Sequence, residues 1–223
     1  MARYNENIPL KDLMTGNIFD ISVPLCPDTP VFPSQERFSR RILSSIAQGD
    51  RANVSQLSMT SHTGTHVDSP SHFIEGGLTI DEVPFQRIVG PARVFELDVP
   101  EKIDGAELEP LGIQKDDIVL FKTRNSKLWK VRDFRKDYVF LTKEAASYLA
   151  EKEVRAVGVD YIIPEALDDL KRPVHHILLG NNIVLIEGLN LENVPAGSYL
   201  LICLPLKIVG GDAAPARAIL VEP

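Results

Sequence analysis

The sequence predicts a single α/β domain, rich in strands, built on a mixed sheet or open barrel. Three observations carry this expectation. Apolar runs of strand length recur through the chain, at 91–99, 117–123, 154–161, 183–187, 198–209 and 216–221. Helical stretches fall between them, most clearly at 143–152, where Thr142 can cap the first turn and Glu144 suits its positive end. No repeat, low-complexity tract or linker divides the 223 residues, a length within the one-domain range for such folds. Elements that interleave rather than segregate are the mark of α/β architecture.

Along the chain, residues 10–14 suggest a short helix. Residues 20–25 read as a strand running into a loop made rigid by Pro24, Pro27, Pro30 and Pro33; it either walls a substrate pocket with its aromatic residue, Phe32, or is a plain surface crossover. Residues 38–46 and 52–60 read as two strands about the turn Gln48-Gly49-Asp50, the second delivering the chain into a histidine-rich segment. Thr79 opens a brief helix over 79–83. After strand 91–99 come a short helix at 104–111 and the apolar strand 117–123. Residues 124–137 are polar, carry the only tryptophan, Trp129, and read as a long loop, a kind of segment that often bears on function. Helix 143–152 leads directly into strand 154–161. Residues 165–170 and 173–179 read as helical, 183–187 as a strand, and 198–209 and 216–221 as closing strands.

Hydrophobic residues at 44% and charged residues at 25% are ordinary globular values, which sets aside disordered and fibrous classes. A formal charge of −7 disfavours a general nucleic-acid or anionic-membrane surface, leaving a small molecule as the expected partner. Cys26 and Cys203 lie far apart with no C-x-x-C, so neither a disulfide scaffold nor a thiolate zinc site is suggested. Arg3, Glu6, Lys11 and Asp12 interrupt any signal-peptide core, and the longest apolar run, 199–206, is too short to span a bilayer. The expectation is a soluble cytoplasmic protein.

The densest chemistry lies in Ser61-His62-Thr63-Gly64-Thr65-His66-Val67-Asp68-Ser69-Pro70-Ser71-His72-Phe73. Three of the five histidines and an aspartate fall within the eleven residues from His62 to His72, all at even positions, the parity that sends side chains to one side of an extended backbone. A helix could pair His62 with His66, but Thr-Gly-Thr between them forms helix poorly, Asp68 would lie far round it, and Pro70 would break it. The segment therefore reads as extended and kinked. Gly64 permits positive φ or a close backbone approach, and Pro70 fixes a bend that can aim His72 back at the same point. Neutral imidazole and carboxylate are the usual nitrogen and oxygen ligands of zinc and similar divalent ions. His72, outside the tight H-x3-H-x-D triplet, is free to serve as the proton acceptor that amide hydrolysis needs beside such an ion. A solvated loop rich in His and Thr is the bland alternative; it explains one histidine more easily than three with an aspartate at this spacing.

The other two histidines adjoin in Pro173-Val174-His175-His176-Ile177-Leu178-Leu179-Gly180, where imidazoles near a helix end can simply cap carbonyls. Glu187 closes the apolar strand 183–187 before Gly188. It is costly if buried unpaired, so it either reaches solvent or meets a cation.

The run His62-x-Gly64-Thr65-His66-x-Asp68-x-Pro70-x-His72-Phe73 resembles the signature of the cyclase-like metal-dependent hydrolases, the family of bacterial kynurenine formamidase (an arylformamidase) and isatin hydrolase. Residues 20–25, Val157-Gly158-Val159-Asp160, and His175-x-x-Leu178-Leu179 followed by Glu187-Gly188-Leu189 are similar to that family's opening strand, a later strand and its closing metal-binding segment. The likeness thus spans nearly the whole chain. It implies a swivelling β/β/α fold, a homodimer or homotetramer, and hydrolysis of an amide C–N bond. The leading substrate is N-formylkynurenine, cleaved to kynurenine and formate in tryptophan catabolism. In the implied site His62, His66 and Asp68 hold one divalent metal, Asp68 bridges to a second held by His175 and Glu187, and His72 is the acid/base. Zinc is the leading cofactor, with manganese the other candidate and a single ion the other stoichiometry. His175, not His176, fits the family register. The chain departs after Asp160, where such relatives often carry a Ser and a second acidic residue and this one has Tyr161-Ile162-Ile163-Pro164-Glu165. Two other functions stay open: hydrolysis of a cyclic amide such as isatin, and a noncatalytic metal-binding regulatory role.

Overall fold

Short apolar strands with alternating faces must bury one face or both, and here a closed sheet satisfies most of them at once. The computed structural model describes residues 16–222, so the helix expected at 10–14 lies outside it. In chain order the elements are β1 (Ile18–Asp20), β2 (Ser39–Ser44), β3 (Val54–Ser58), β4 (His66–Asp68), β5 (Val89–Glu96), β6 (Lys102–Ile103), α1 (Gly105–Leu108), β7 (Ile118–Lys122), β8 (Phe140–Leu141), α2 (Lys143–Glu151), β9 (Ala156–Val159), α3 (Pro173–Gly180), β10 (Val184–Glu187), β11 (Gly197–Pro205) and β12 (Ala213–Val221). The main sheet runs β12-β11-β5-β7-β9-β10-β4 and closes through a β4–β12 pairing, while β1 extends it along the far half of β12. It is mixed, as expected: β5, β7, β9 and β10 are parallel neighbours, and the other barrel pairings are antiparallel.

Strand parity sorts the core into two. Ile118, Leu120, Val184 and Ile186 point into the barrel with Val67, Leu201 and Leu220, whereas Val119, Phe121, Val157 and Leu185 point outward against Leu149 of α2 and Val174 and Leu178 of α3. A fully buried aliphatic side chain of this kind contributes about 1.5–3 kcal/mol. The helices therefore cover one outer face of the barrel. Because Val67 faces inward, its neighbours His66 and Asp68 face out, toward the helical layer.

Several elements differ from the sequence reading for local reasons. The strand expected at 20–25 ends at Asp20, after which only Ser22 bridges, to Leu189; the prolines that follow cannot donate to a ladder. The strand expected at 198–209 stops at Pro205. Residues 165–170 are turns rather than helix, and residues 124–130 of the supposed loop form a 3-10 helix. That helix is fastened to β9's end: the buried Asp160 carboxylate accepts from the backbone N–H and hydroxyl of both Thr123 and Ser126. The helix after Thr142 and the capped turn after Thr79 form where expected, the latter with a capping box closed by Glu82. The β2–β3 pair is a separate hairpin, exposed along its length, with Ile42, Leu43, Val54 and Leu57 open to solvent. Among the described residues no helix is long and apolar enough to cross a membrane.

Candidate metal centre

Two residues two apart on β4 share a face, and the neighbouring strand adds a third. Asp68 and His66 point the same way, and antiparallel register places Glu187 of β10 directly opposite His66. His62 and His72 come in from irregular chain on either side. Gly64 turns the approach at φ +69, where a Cβ would meet the Leu25 side chain at 2.6 Å. Gly188, at φ +71, lets the β10 exit press against that turn, since its Cβ would lie 2.2 Å from the Gly64 carbonyl oxygen; the Thr65 hydroxyl donates to the Gly188 carbonyl across the contact. Beyond β4, Pro70 opens a one-turn 3-10 helix that ends on His72 and brings its ring to a centroid distance of 4.2 Å from that of His62. His175 enters from the first turn of α3, with Phe73 stacked on it at 4.5 Å. His176 is exposed, as the register implied.

The donor atoms converge. Asp68 Oδ1 lies 3.0 Å from His62 Nδ1 and 3.3 Å from His66 Nε2, and Asp68 Oδ2 lies 3.6 Å from His175 Nε2. Glu187 Oε2 is 3.4 Å from His66 Nε2 and Oε1 is 3.2 Å from His175 Nε2. Close as these atoms are, His66 Nε2, both Asp68 oxygens and Glu187 Oε1 are buried without a hydrogen-bond partner. Each such atom carries a desolvation cost if left unsatisfied, and one shared cation would satisfy all four, which lie together at one place. One donor atom each from His66, Asp68 and Glu187 lies within 4.8 Å of the others, close enough to share an ion. The residues therefore suit a divalent metal, and three imidazoles with two carboxylates form a borderline nitrogen and oxygen donor set.

The other nitrogens are fixed from behind, as metal-ligating imidazoles require. His66 Nδ1 donates to the Gly64 carbonyl at 2.9 Å, leaving Nε2 as the free donor. His175 Nδ1 faces Glu165 Oε1 at 2.5 Å, while Glu165 Oε2 accepts the Val174 backbone N–H; one buried carboxylate thus orients the imidazole and caps α3. His62 Nε2 lies 2.8 Å from Asp212 Oδ2, and the same oxygen is 3.5 Å from His72 Nδ1. Glu165 and Asp212 were not named as site residues from sequence. Glu165 closes the stretch, Tyr161 to Glu165, at which the chain departs from the family pattern. Asp212 lies about 140 residues from His72 along the chain, and no spacing rule connects them; the β4–β12 pairing does.

Electrostatics follow from this packing. Burial alone pulls the His66 imidazolium down, but the Asp68 and Glu187 carboxylates outweigh it and lift His66 to about 10. Burial pushes the Asp68 carboxyl up, yet the surrounding histidines, His175 foremost, hold it well below the usual carboxylate range, and Glu187 is lowered in the same way. His72 differs: burial dominates, and its pKa falls below the ordinary 6.5. A raised histidine stabilises the fold fully below pH 6.5 and loses that contribution as pH rises toward 10. Lowered carboxylates lose theirs as pH falls below their ordinary values of 3.8 and 4.5. Metal-free protein should thus melt highest between 4.5 and 6.5 and lose stability as pH is raised beyond that. In a chain this size Tm falls about 2–4 °C per kcal/mol lost. Metal, which competes with protons for the imidazoles, should restore Tm most strongly at the alkaline end. Melting curves from about pH 5 to about pH 9 with and without zinc check this; a metal-free Tm that climbs above pH 6.5 contradicts it.

The centre opens on a cleft of about 230 Å³ whose lining includes His62, His72, His175 and Glu187, with Phe32 and Phe73 as aromatic walls. The proline-rich loop thus does wall the cleft. Ile162 and Ile163 line it as well, backed by Tyr138, Tyr161, Phe134 and Trp129.

Residues 19–166 match the family model "Putative cyclase". The chain belongs to the cyclase-like family of metal-dependent hydrolases. It is 34% identical over 208 residues to the kynurenine formamidase of Bacillus cereus, covering 93% of this chain and 99% of that one. A solved structure titled as a predicted metal-dependent hydrolase from Bacillus stearothermophilus superposes with a TM-score of 0.81 at 34% identity, covering 93% and 98% of the two chains. Isatin hydrolase A from Labrenzia aggregata, bound to benzyl benzoate, superposes at 0.78 with 28% identity, covering 92% and 93%. With this membership the cyclase fold expected from the motif is established, and the protein is an amide-hydrolysing, metal-dependent enzyme.

Proposed function

We propose that this cyclase-family hydrolase cleaves the formyl C–N bond of an N-formyl arylamine, with N-formylkynurenine as the leading substrate. The observation that carries the reading is the placement of a buried set of orphaned donors beneath a cleft with aromatic walls, with His72 between the two. The 34%-identical kynurenine formamidase supports the substrate class. In this reading His62, His66 and Asp68 would hold one ion, and Asp68, His175 and Glu187 a second. Zinc is the proposed metal because imidazole-rich sets with carboxylates suit it, and manganese is the arm to compare.

A divalent ion held there would supply a water with its pKa lowered to about 7 and would polarise the substrate carbonyl. His72, held neutral by burial, accepts the proton of the attacking water and returns it to the departing amine nitrogen. Asp212, accepting from His62 and lying beside His72, keeps the two rings in register. Phe32 and Phe73 flank the aryl ring, and Ile162 and Ile163 keep bulk water from it.

Elemental analysis paired with assays on zinc-loaded and manganese-loaded protein tests this. The expected result is zinc at one or two equivalents and turnover of N-formylkynurenine. Isatin belongs in the same assay, because isatin hydrolase A shares the fold at 28% identity. Faster turnover of isatin moves the reading to cyclic amides, and bound metal with no turnover of any amide sinks it. A homodimer or homotetramer is part of the proposal, supported by the exposed apolar side of the β2–β3 hairpin; sedimentation showing a monomer removes it.

A further inference from the structure

We infer that Arg172 is the specificity-determining residue of the cleft, and that it selects aryl amides that carry a carboxylate in addition to the scissile amide. The inference rests on the formamidase reading and extends it to substrate charge.

Among the described residues Arg172 is the only arginine or lysine lining the cleft, whose other walls include Phe32, Phe73, Ile162 and Ile163. Its guanidinium is largely uncommitted. Arg37, Arg93, Arg132, Arg135 and Arg217 each pair with an aspartate, whereas Arg172 forms no ion pair among the described residues. Its one side-chain hydrogen bond is from Nη1 to the Ala166 carbonyl, 3.2 Å away, and its Cζ sits 5.8 Å from the Phe32 ring centroid. A guanidinium has five N–H donors in a planar fork, so most remain for a ligand. A carboxylate is the planar acceptor that fork matches.

The backbone points the same way. Arg172 occupies the left-handed region, at φ 48 and ψ 51, just before Pro173 opens α3. Glycine or asparagine takes that conformation more easily than arginine does, so backbone preference gives no reason for an arginine here. The side chain, leaning on Phe32 at the cleft wall, supplies one. The overall charge of −7 adds weight, because an anionic substrate gains nothing from the long-range field and needs a cation inside the cleft.

The test compares wild type with Arg172→Met and Arg172→Lys, all metal-loaded, on N-formylanthranilate and N-formylaniline, which differ by one carboxylate. For Arg172→Met the expected result is a KM for the acid raised roughly 10–100-fold, the worth of a charge-assisted hydrogen-bonded pair, with kcat nearly unchanged. On the neutral amide this variant should match wild type, and Arg172→Lys should recover part of the loss. Equal loss on both substrates, or none on either, overturns the inference. Calorimetric binding of anthranilate against aniline separates this claim from the formamidase reading. If no variant turns over an amide but anthranilate binding weakens in Arg172→Met, the reaction is wrong and the carboxylate subsite stands. Unchanged anthranilate binding overturns the subsite.

Discussion

Asp68→Ala is expected to yield protein with no bound metal and no measurable amidase activity. Asp68 sits between both halves of the centre: Oδ1 meets His62 and His66, and Oδ2 meets His175, while Glu187 spans only His66 and His175. Without it, Glu187 is the one carboxylate left to His66 and His175 and His62 loses its carboxylate partner in the centre, so the two positions share too few donors for a divalent ion at each. The loss of affinity should far exceed the roughly 10–100-fold that follows removal of a partner behind a ligand. Folding should survive. The imidazolium groups that Asp68 holds charged can shed their protons once the carboxylate is gone, which limits the cost of an unpaired buried charge to less than the full ~3–5 kcal/mol. Elemental analysis alongside circular dichroism separates the outcomes: metal retained at wild-type occupancy in a folded variant refutes the bridging role, and Asp68→Asn tests whether charge or shape matters.

How much of this was legible in the sequence depends on distance along the chain. The parity argument was correct for His66 and Asp68, which share a strand face, and Pro70 and Gly64 bend the chain as their chemistry demands. His62 and His72 lie outside that strand, so their even positions alone would not have brought them in; the turns did. Glu187 had two open readings, and burial opposite His66 decides between them. Asp212 and Arg172 were invisible because neither belongs to a local pattern. One reaches the site through closure of the barrel at β12, the other through a left-handed residue ahead of a proline. The same limit explains the strand ends. Alternation marks an apolar run, but whether a run pairs depends on the neighbour that topology supplies, and after Asp20 the chain keeps only scattered bonds to Ala218 and Asn190 and one bridge, Ser22 to Leu189.

His72→Ala, by contrast with the aspartate variant, should keep its metal and lose roughly 10²–10⁴-fold in kcat. The prediction has a real opponent in the geometry, because His62, Asp68 and His72 offer donor atoms close enough to share an ion. Three features favour the base over the ligand. His66 and His175 each have one nitrogen engaged from behind by a carbonyl or a carboxylate within hydrogen-bond reach, whereas His72 meets Asp212 only at 3.5 Å and is looser in its seat. His72 is also the histidine whose burial lowers its affinity for protons instead of being overridden by neighbouring carboxylates, so it is neutral and able to accept a proton at pH 7. Finally, it is the most open of the histidines around the donors, with 26% of its side chain exposed against 14% for His62 and 6% for His175, which places it toward the substrate's side. A ligand's removal lowers metal content and kcat together. A base's removal leaves the metal and flattens the acid limb of the pH–rate profile, with partial rescue by added imidazole. Zinc content measured on the same samples used for kinetics therefore decides between the roles, and a His72→Ala protein that has lost its metal assigns His72 to the ligand set.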